Sequence, residues 1–114
     1  MTDFEQFQET YRKYQQLFGL TGYKVYFKHE PIDDAFADST ITNCDRIATV
    51  RLNSVLPDSD IHAKHVERSA KHEAIHLLLN NLEQLAISRC IREGDISTEV
   101  EGLVFKLEDL IPAI

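Results

Sequence analysis

The stretch from residue 60 to residue 88 contains neither glycine nor proline, and its apolar residues recur at helical spacing. At 1.5 Å per residue such a helix spans about 40 Å, which is long for a small domain, so we expect a bend or break near Asn80-Asn81. A helix start is predicted at Pro57-Asp58-Ser59-Asp60, where capping acids follow a proline. The middle of the stretch is His72-Glu73-Ala74-Ile75-His76, an H-E-x-x-H pattern.

Residues four apart on a helix share a face, so His72 and His76 can offer imidazole nitrogens to one zinc ion. Glu73 would lie beside that ion, where its carboxylate can take a proton from water activated by the metal. The pattern is short, and the alternative is that both histidines are ordinary residues of a helix surface. The apolar run Leu77-Leu78-Leu79 indicates that this helix is buried over much of its circumference, where histidine and glutamate need partners. The pattern therefore predicts a zinc site.

A catalytic zinc site needs a third protein ligand and one open position. One common arrangement continues as H-E-x-x-H-x-x-G-x-x-H, but the matching positions here are Leu79 and Leu82, which excludes it. His65 is excluded because it lies seven residues before the motif, about 10.5 Å along the helix, and cannot share one ion. The remaining candidates are Glu99 and Glu101 on the next helix, and spacing alone does not choose between them.

Hydrophobic periodicity predicts an α+β fold. An amphipathic helix is expected over residues 3–18, and the last helix is expected to be capped by Ser97 or Thr98 and to stop at Pro112. Alternating patterns predict three strands, at residues 23–28, 35–42 and 46–53. Asn43-Cys44-Asp45 would be the hairpin loop between the last two strands. The predicted order is an N-terminal helix, a small three-stranded, largely antiparallel sheet, the motif helix and a C-terminal helix.

Composition limits the class of protein. With 114 residues we expect a single domain over residues 1–114. The net charge of -7 argues against nucleic acid as the primary partner, because phosphate contacts need a basic surface. No apolar run is long enough for a membrane span, and Met1-Thr2-Asp3-Phe4-Glu5 lacks the order of a secretory signal. Cys44 and Cys90 form no C-x-x-C pair and are expected to be small buried side chains in a cytoplasmic protein.

Two segments of the chain resemble those of a known protein family. They are Lys71-His72-Glu73-Ala74-Ile75-His76-Leu77-Leu78-Leu79-Asn80 and Glu99-Val100-Glu101-Gly102-Leu103-Val104-Phe105. The first segment, the second segment and the small α+β domain before them resemble the minimal zincin-type metallopeptidases found in phages and bacteria. The chain is similar to the ImmA/IrrE and SprT-like groups over roughly residues 23–111, and the likeness is strongest at the H-E-x-x-H pattern.

The resemblance implies a third ligand. In ImmA/IrrE-type sequences that ligand is the second glutamate of an E-x-E-A-N-x-F-A run, which corresponds to Glu101 rather than Glu99. Leu103 and Lys106 depart from the run, at its asparagine and its final alanine. The implied fold is zincin-like, and the implied activity is that of a zinc-dependent peptidase.

Together the motif and the resemblance lead to one mechanistic hypothesis. Zn²⁺ is held by His72, His76 and Glu101, and Glu73 is the general base. A peptide or protein substrate is expected to extend along an edge of the sheet formed by residues 46–53. One alternative is a zinc-stabilised, non-catalytic interaction module, such as a phage or mobile-element protein that binds a host or regulatory protein. Another is a hydrolase that acts on a non-protein amide.

Overall fold

The computed structural model of this chain describes residues 1–55, 62–88 and 90–113, which form an α+β structure of three helices and a three-stranded mixed sheet. The elements are α1 (Asp3–Leu17), β1 (Lys24–Glu30), β2 (Ala37–Thr42), β3 (Ile47–Asn53), α2 (His62–Ile87) and α3 (Glu93–Leu110). The predicted helix start at residues 57–60 lies outside the described residues. The chain divides into two compact units, Met1–Leu78 and Leu79–Ile114, so the boundary falls within α2.

The first helix begins at the predicted residue and ends one residue before the predicted end. Thr2 caps α1 by accepting a hydrogen bond from a backbone N–H of the first turn, at 3.1 Å from Oγ1. Gly19 follows the helix with a φ of 71°, a left-handed conformation that glycine adopts without strain. The prediction that this helix is amphipathic is confirmed, since Phe7 and Tyr11 form a buried stripe and both pack edge-on against Phe27 of β1.

The sheet has the strand order β1-β3-β2, so β3 lies in the centre. It pairs antiparallel with β2, as the predicted hairpin requires, and parallel with β1. The expectation of a largely antiparallel sheet is therefore wrong, because one of the two pairings is parallel. The reason is that β1 and β2 are not neighbours: β3, which follows both in the sequence, lies between them and pairs with each.

The connection between β1 and β2 is held at the end of β3 by one side chain. The amide of Asn53 donates to the carbonyl oxygens of Ile32 and Ala35, both at 2.9 Å. Its oxygen accepts from the backbone N–H of Ile32 at 3.2 Å. Asp34 in this connection has a φ of 63°, a left-handed conformation that aspartate tolerates better than most residues. These bonds attach the connection to the end of β3.

The two faces of β3 differ in burial and charge. On the outer face, the guanidinium of Arg51 contacts Glu30 of β1 at 3.0 Å and forms a two-point pair with Asp38 of β2. Hydrogen bonding to Asp38, and then to Glu30, raises the pKa of Arg51. One cation therefore ties together all three strands. The residues of the inner face are fully buried: Ala48, Val50 and Leu52.

Both α1 and the first part of α2 pack on the inner face of the sheet. Phe27 of β1 contacts α1, Ser39 of β2 bonds to Glu73 of α2, and both Phe27 and Ser39 are register partners of Val50. The helix continues through residues 80–81, so a break there is wrong, while the alternative of a bend stays a prediction. The buried positions of α2 in the first unit recur at the predicted three- and four-residue steps: Val66, Ala70, Glu73, Ala74, Leu77 and Leu78.

The last helix begins earlier than predicted, by about one and a half turns. It starts at Glu93, so the expectation that Ser97 or Thr98 caps it is wrong. The backbone N–H of Arg92 donates to the carboxylate of Asp95 at 3.2 Å, and this contact places the helix start here. As predicted, α3 ends just before the last proline of the chain.

Cys44 and Cys90 are free thiols, and both are exposed, so the expectation that they are buried is wrong. Cys44 lies in the loop between β2 and β3, and Cys90 lies in the turn that precedes α3. Connecting segments of this kind run over the protein surface, which explains the exposure. Of the helices in the described part of the chain, none has both the length and the apolar content to cross a membrane.

Candidate metal and catalytic site

His72 and His76 lie one turn apart on α2, and their imidazole rings converge. Their Nε2 atoms are 3.2 Å apart, and the ring centroids are 4.8 Å apart at an interplanar angle of 69°. Both side chains are exposed, so the pair is open to solvent. The two rings therefore present their nitrogens to one point at the surface of the helix.

The spacing of this pair can be compared with the geometry of a metal site. Two nitrogens bound to one tetrahedral zinc at about 2.0–2.1 Å lie about 3.3 Å apart. The separation of the Nε2 atoms of His72 and His76, 3.2 Å, fits that value. It also fits an N–H···N hydrogen bond between two neutral rings of suitable tautomers. The donor set of the pair thus suits zinc without requiring it.

Glu73 lies on the inner side of α2 and faces the sheet. Its exposed fraction is 5%, so its carboxylate needs a hydrogen-bond donor. Ser39 of β2 provides one, donating from Oγ to Oε1 of Glu73 at 2.6 Å. Since Ser39 and Glu73 belong to different elements, this bond joins the strand to the motif helix and fixes one carboxylate oxygen.

Tyr11 of α1 borders Glu73 on the buried side. The ring is fully buried, and among the described residues its hydroxyl has no hydrogen-bond partner. Burial, and next the negative charge of Glu73, raise the pKa of the Tyr11 phenol. The hydroxyl therefore stays protonated at alkaline pH values at which an exposed tyrosine ionises. No second negative charge forms beside Glu73 at those pH values.

A cavity of about 250 Å³ opens between the start of β2 and the middle of α2. Its lining includes both His72 and Glu73, so the candidate ligand and the candidate general base reach the same space. The other residues that line it are Phe36, Ala37, Arg68 and Ser69. All six belong to the first unit. The cavity is therefore the space in which chemistry at Glu73 would take place.

β2 forms one edge of the sheet, and no strand in the described part of the chain pairs with its outer side. The backbone N–H of Asn53 donates to the oxygen of Phe36 at 2.9 Å, which marks a hydrogen-bonded pair of the ladder. Because such pairs alternate along an antiparallel strand, the main-chain groups of Ala37 and Ser39 point outward, beside the cavity. The expectation that residues 46–53 form an edge is wrong, because β3 is paired on both sides.

The two candidates for the third ligand lie on α3 in the second unit. Glu101 is exposed, whereas Glu99 is partly buried. Within residues 1–55, 62–88 and 90–113, no group of three or more histidine, cysteine, aspartate or glutamate side chains could hold a metal ion. The assignment of Glu101 as the third ligand stays a prediction.

Three neighbours of the motif were missed from the sequence: Ser39, Arg68 and Ser69. Arg68 and Ser69 precede His72 by four and three residues, a spacing that places them on its side of the helix, so this signal was present. Ser39 carried a weaker signal, as a polar residue on the inward-facing register of a strand. Its pairing with Glu73 depends on the packing of α2 on the sheet, which local patterns do not encode.

The resemblance to the minimal zincin-type metallopeptidases is carried by residues 71–80 and 99–105 of the sequence. That resemblance stays a prediction from the sequence. No protein-family model, curated protein or solved structure matches this chain.

Proposed function

We propose that this chain is a zinc-dependent, metallopeptidase-like hydrolase that cleaves a peptide or protein substrate in the cytoplasm. The observation that carries the proposal is the 3.2 Å separation between the Nε2 atoms of His72 and His76, which suits two ligands of one tetrahedral ion. Glu101 is proposed as the third ligand, because the residues around it are similar to the ligand-bearing run of ImmA/IrrE-type sequences.

Each residue of the first unit has a separate role in this proposal. His72 and His76 hold the ion, and zinc, when bound, supplies a Lewis acid that polarises a carbonyl and acidifies water. Glu73 takes a proton from the attacking water and returns it to the leaving amine. Ser39 donates to Oε1 of Glu73 at 2.6 Å, which holds the carboxylate in place and leaves Oε2 for the transferred proton.

The substrate is proposed to lie extended along the outer edge of β2, where it would pair main chain to main chain with Ala37 and Ser39. The side chain of Ser39 reaches Glu73 while its main chain faces outward, so an added strand would run past the general base. The cavity of about 250 Å³ would then receive one substrate side chain.

The variant Glu73→Gln tests the assignment of the general base. Zinc content is measured by atomic spectroscopy, and hydrolysis is measured with a library of quenched fluorescent peptides. We expect wild type and Glu73→Gln to bind zinc equally and only wild type to cleave, because glutamine keeps the shape of glutamate but cannot accept the proton. His72→Ala is the matched control, and it should lose both zinc and activity. Wild type that purifies without zinc and gains no activity when zinc is added refutes the proposal.

A second candidate function is a zinc-stabilised, non-catalytic interaction module, such as a phage or mobile-element protein that binds a host or regulatory protein. The burial of Glu73 and its bond to Ser39 favour it, since these contacts also suit a carboxylate that joins β2 to α2. Thermal unfolding with and without a chelator separates the two, because a structural ion contributes directly to folding. A large loss of Tm without any Glu73-dependent cleavage supports the module.

A further inference from the structure

The cavity beside the motif has a wall that the proposed chemistry does not use. Arg68 and Ser69 lie one turn before His72 and Glu73 and line the same space, and their side chains carry a guanidinium and a hydroxyl. Across from them, Phe36 and Ala37 come from the start of β2. The lining residues from the helix therefore carry hydrogen-bond donors, and those from the strand side carry apolar side chains.

The apolar wall is held in place by a further contact from α2. The ring of His65 meets the ring of Phe36 edge-on, with centroids 6.0 Å apart. Ala37 has a small side chain, so the strand leaves open the cavity volume of about 250 Å³. A chain of a few methylene groups could lie against Phe36 while its polar end reaches Arg68.

The side chains of Arg68 and Ser69 indicate which chemical group the polar end of the ligand carries. Arginine presents several N–H donors in a plane, which matches the two oxygens of a carboxylate, and the Ser69 hydroxyl can donate as well. Glu73 lines the same cavity, so its negative charge disfavours a ligand with two negative charges, such as a phosphate, more than one with a single charge. A carboxylate has both properties: two oxygens that accept from the guanidinium, and a single negative charge.

We infer that this cavity binds a carboxylate of the substrate through Arg68 and Ser69. Its consequence for catalysis rests on the proposed function: cleavage should favour peptides with a carboxylate near the scissile bond. An acidic side chain and a free C-terminus both supply that group. Arg68 is thus a specificity-determining residue, and it is distinct from the residues that hold the ion or move the proton.

Binding tests the inference without requiring hydrolysis. Three fluorescein-labelled peptides of alanine and glycine are compared by anisotropy with the Glu73→Gln protein: one with a central glutamate and an amidated C-terminus, one with glutamine in its place, and one with glutamine and a free C-terminus. We expect at least one carboxylate peptide to bind about three- to tenfold tighter than the glutamine amide. The stronger binder identifies whether the side chain or the terminus is the source.

The same measurements are repeated with Arg68→Gln added. The preference for a carboxylate should disappear, because the guanidinium is lost while glutamine keeps the helix propensity of arginine. Lys71→Gln is the matched control, since it removes a cation from the same helix that lies over the Tyr14 ring and does not line the cavity. Lys71→Gln should keep the preference.

Failure of this inference and failure of the proposed hydrolase are distinguishable. Equal binding of all three peptides, binding of none, or a preference that persists in Arg68→Gln overturns the carboxylate site, even if wild type cleaves peptides. An Arg68-dependent preference supports the site, even if wild type cleaves none of them. Where wild type does cleave, the preference should appear in kcat/KM and be lost in Arg68→Gln.

Discussion

The first part of α2 and the whole of α3 are both amphipathic helices, but they differ sharply in burial. Within the first unit, Val66, Ala70, Ala74 and Leu77 of α2 have at most 1% of their surface exposed. Along α3, Leu103 is the one buried residue, and Val100, Val104 and Leu107 remain exposed. A helix that packs on a sheet has its inner side chains fixed by close contacts, whereas a helix with one buried residue does not.

This difference bears directly on the candidate site. Glu73 belongs to the buried stripe of α2, and its neighbours His72 and His76 extend from the same turn and the next one. Their positions are therefore set by the core of the first unit. The proposed third ligand, Glu101, is exposed on α3, where packing does little to fix it. Of the three proposed ligands, His72 and His76 therefore have positions set by packing in the first unit, whereas Glu101 does not.

The largest expected effect is on stability and compares the two helices directly. Leu77→Ala should lower the free energy of unfolding by about 2–5 kcal/mol, because Leu77 is 1% exposed and its loss leaves a cavity. Leu107→Ala, at a residue 41% exposed, should cost less than about 1 kcal/mol. Urea unfolding followed by circular dichroism measures both. Equal losses would mean that α3 is packed as tightly in solution as α2.

The next effect is on zinc affinity and concerns the second unit. Glu101→Ala should weaken zinc binding on the order of a hundredfold, because it removes a ligand, while Glu99→Ala should change it by less than about threefold. Competition with a chromogenic zinc chelator measures both dissociation constants. The reverse result would assign the ligand to Glu99, and no change in either variant would show that α3 supplies no ligand.

A smaller effect is expected at the contact between β2 and α2. Ser39→Ala removes the hydroxyl that donates to Glu73 and leaves a buried carboxylate without that hydrogen bond. We therefore expect the free energy of unfolding to fall by about 1–3 kcal/mol. Thr40→Ala is the matched control, since Thr40 is the next residue of the strand and is exposed on the other face. If both substitutions cost the same, the bond does not hold Glu73 in solution.

Local patterns were sufficient for some parts of this molecule. The stripe of α1, the β2–β3 hairpin and the motif helix follow from periodicity, capping and turn residues that lie within one segment. The parallel β1–β3 pairing could not be predicted this way, because it joins strands about twenty residues apart in the chain, as do the contacts of Asn53 with the connection after β1. The early start of α3 is accompanied by reciprocal hydrogen bonds between Arg92 and Asp95, which helical periodicity does not encode.

The same distinction applies to the site. The spacing of His72 and His76 fixes their shared face, so their convergence could be predicted from two positions in the sequence. The surroundings of Glu73 could not, because Ser39 and Tyr11 come from a strand and a helix whose packing is set by the whole core of the first unit. What the sequence leaves open is therefore the environment of Glu73, and its proposed role as general base stays a prediction.

The smallest effect expected at neutral pH is that of Tyr11→Phe, which removes a fully buried hydroxyl that has no hydrogen-bond partner among the described residues. We expect stability at pH 7 to be unchanged or slightly higher, within about 1 kcal/mol, because no bond is lost and a desolvated polar group is removed.

At alkaline pH, wild type and Tyr11→Phe should differ in stability. Burial and the charge of Glu73 raise the pKa of Tyr11 in the folded state, so above about pH 10 the phenol ionises in the unfolded chain alone. That difference favours unfolding, and wild type should lose stability there relative to Tyr11→Phe. Urea midpoints at several pH values measure the divergence, with Tyr26→Phe as the control at an exposed tyrosine. A clear loss of stability in Tyr11→Phe at pH 7 would instead mean that the hydroxyl donates to Glu73 in solution, which would make Tyr11 a second positioning residue beside Ser39.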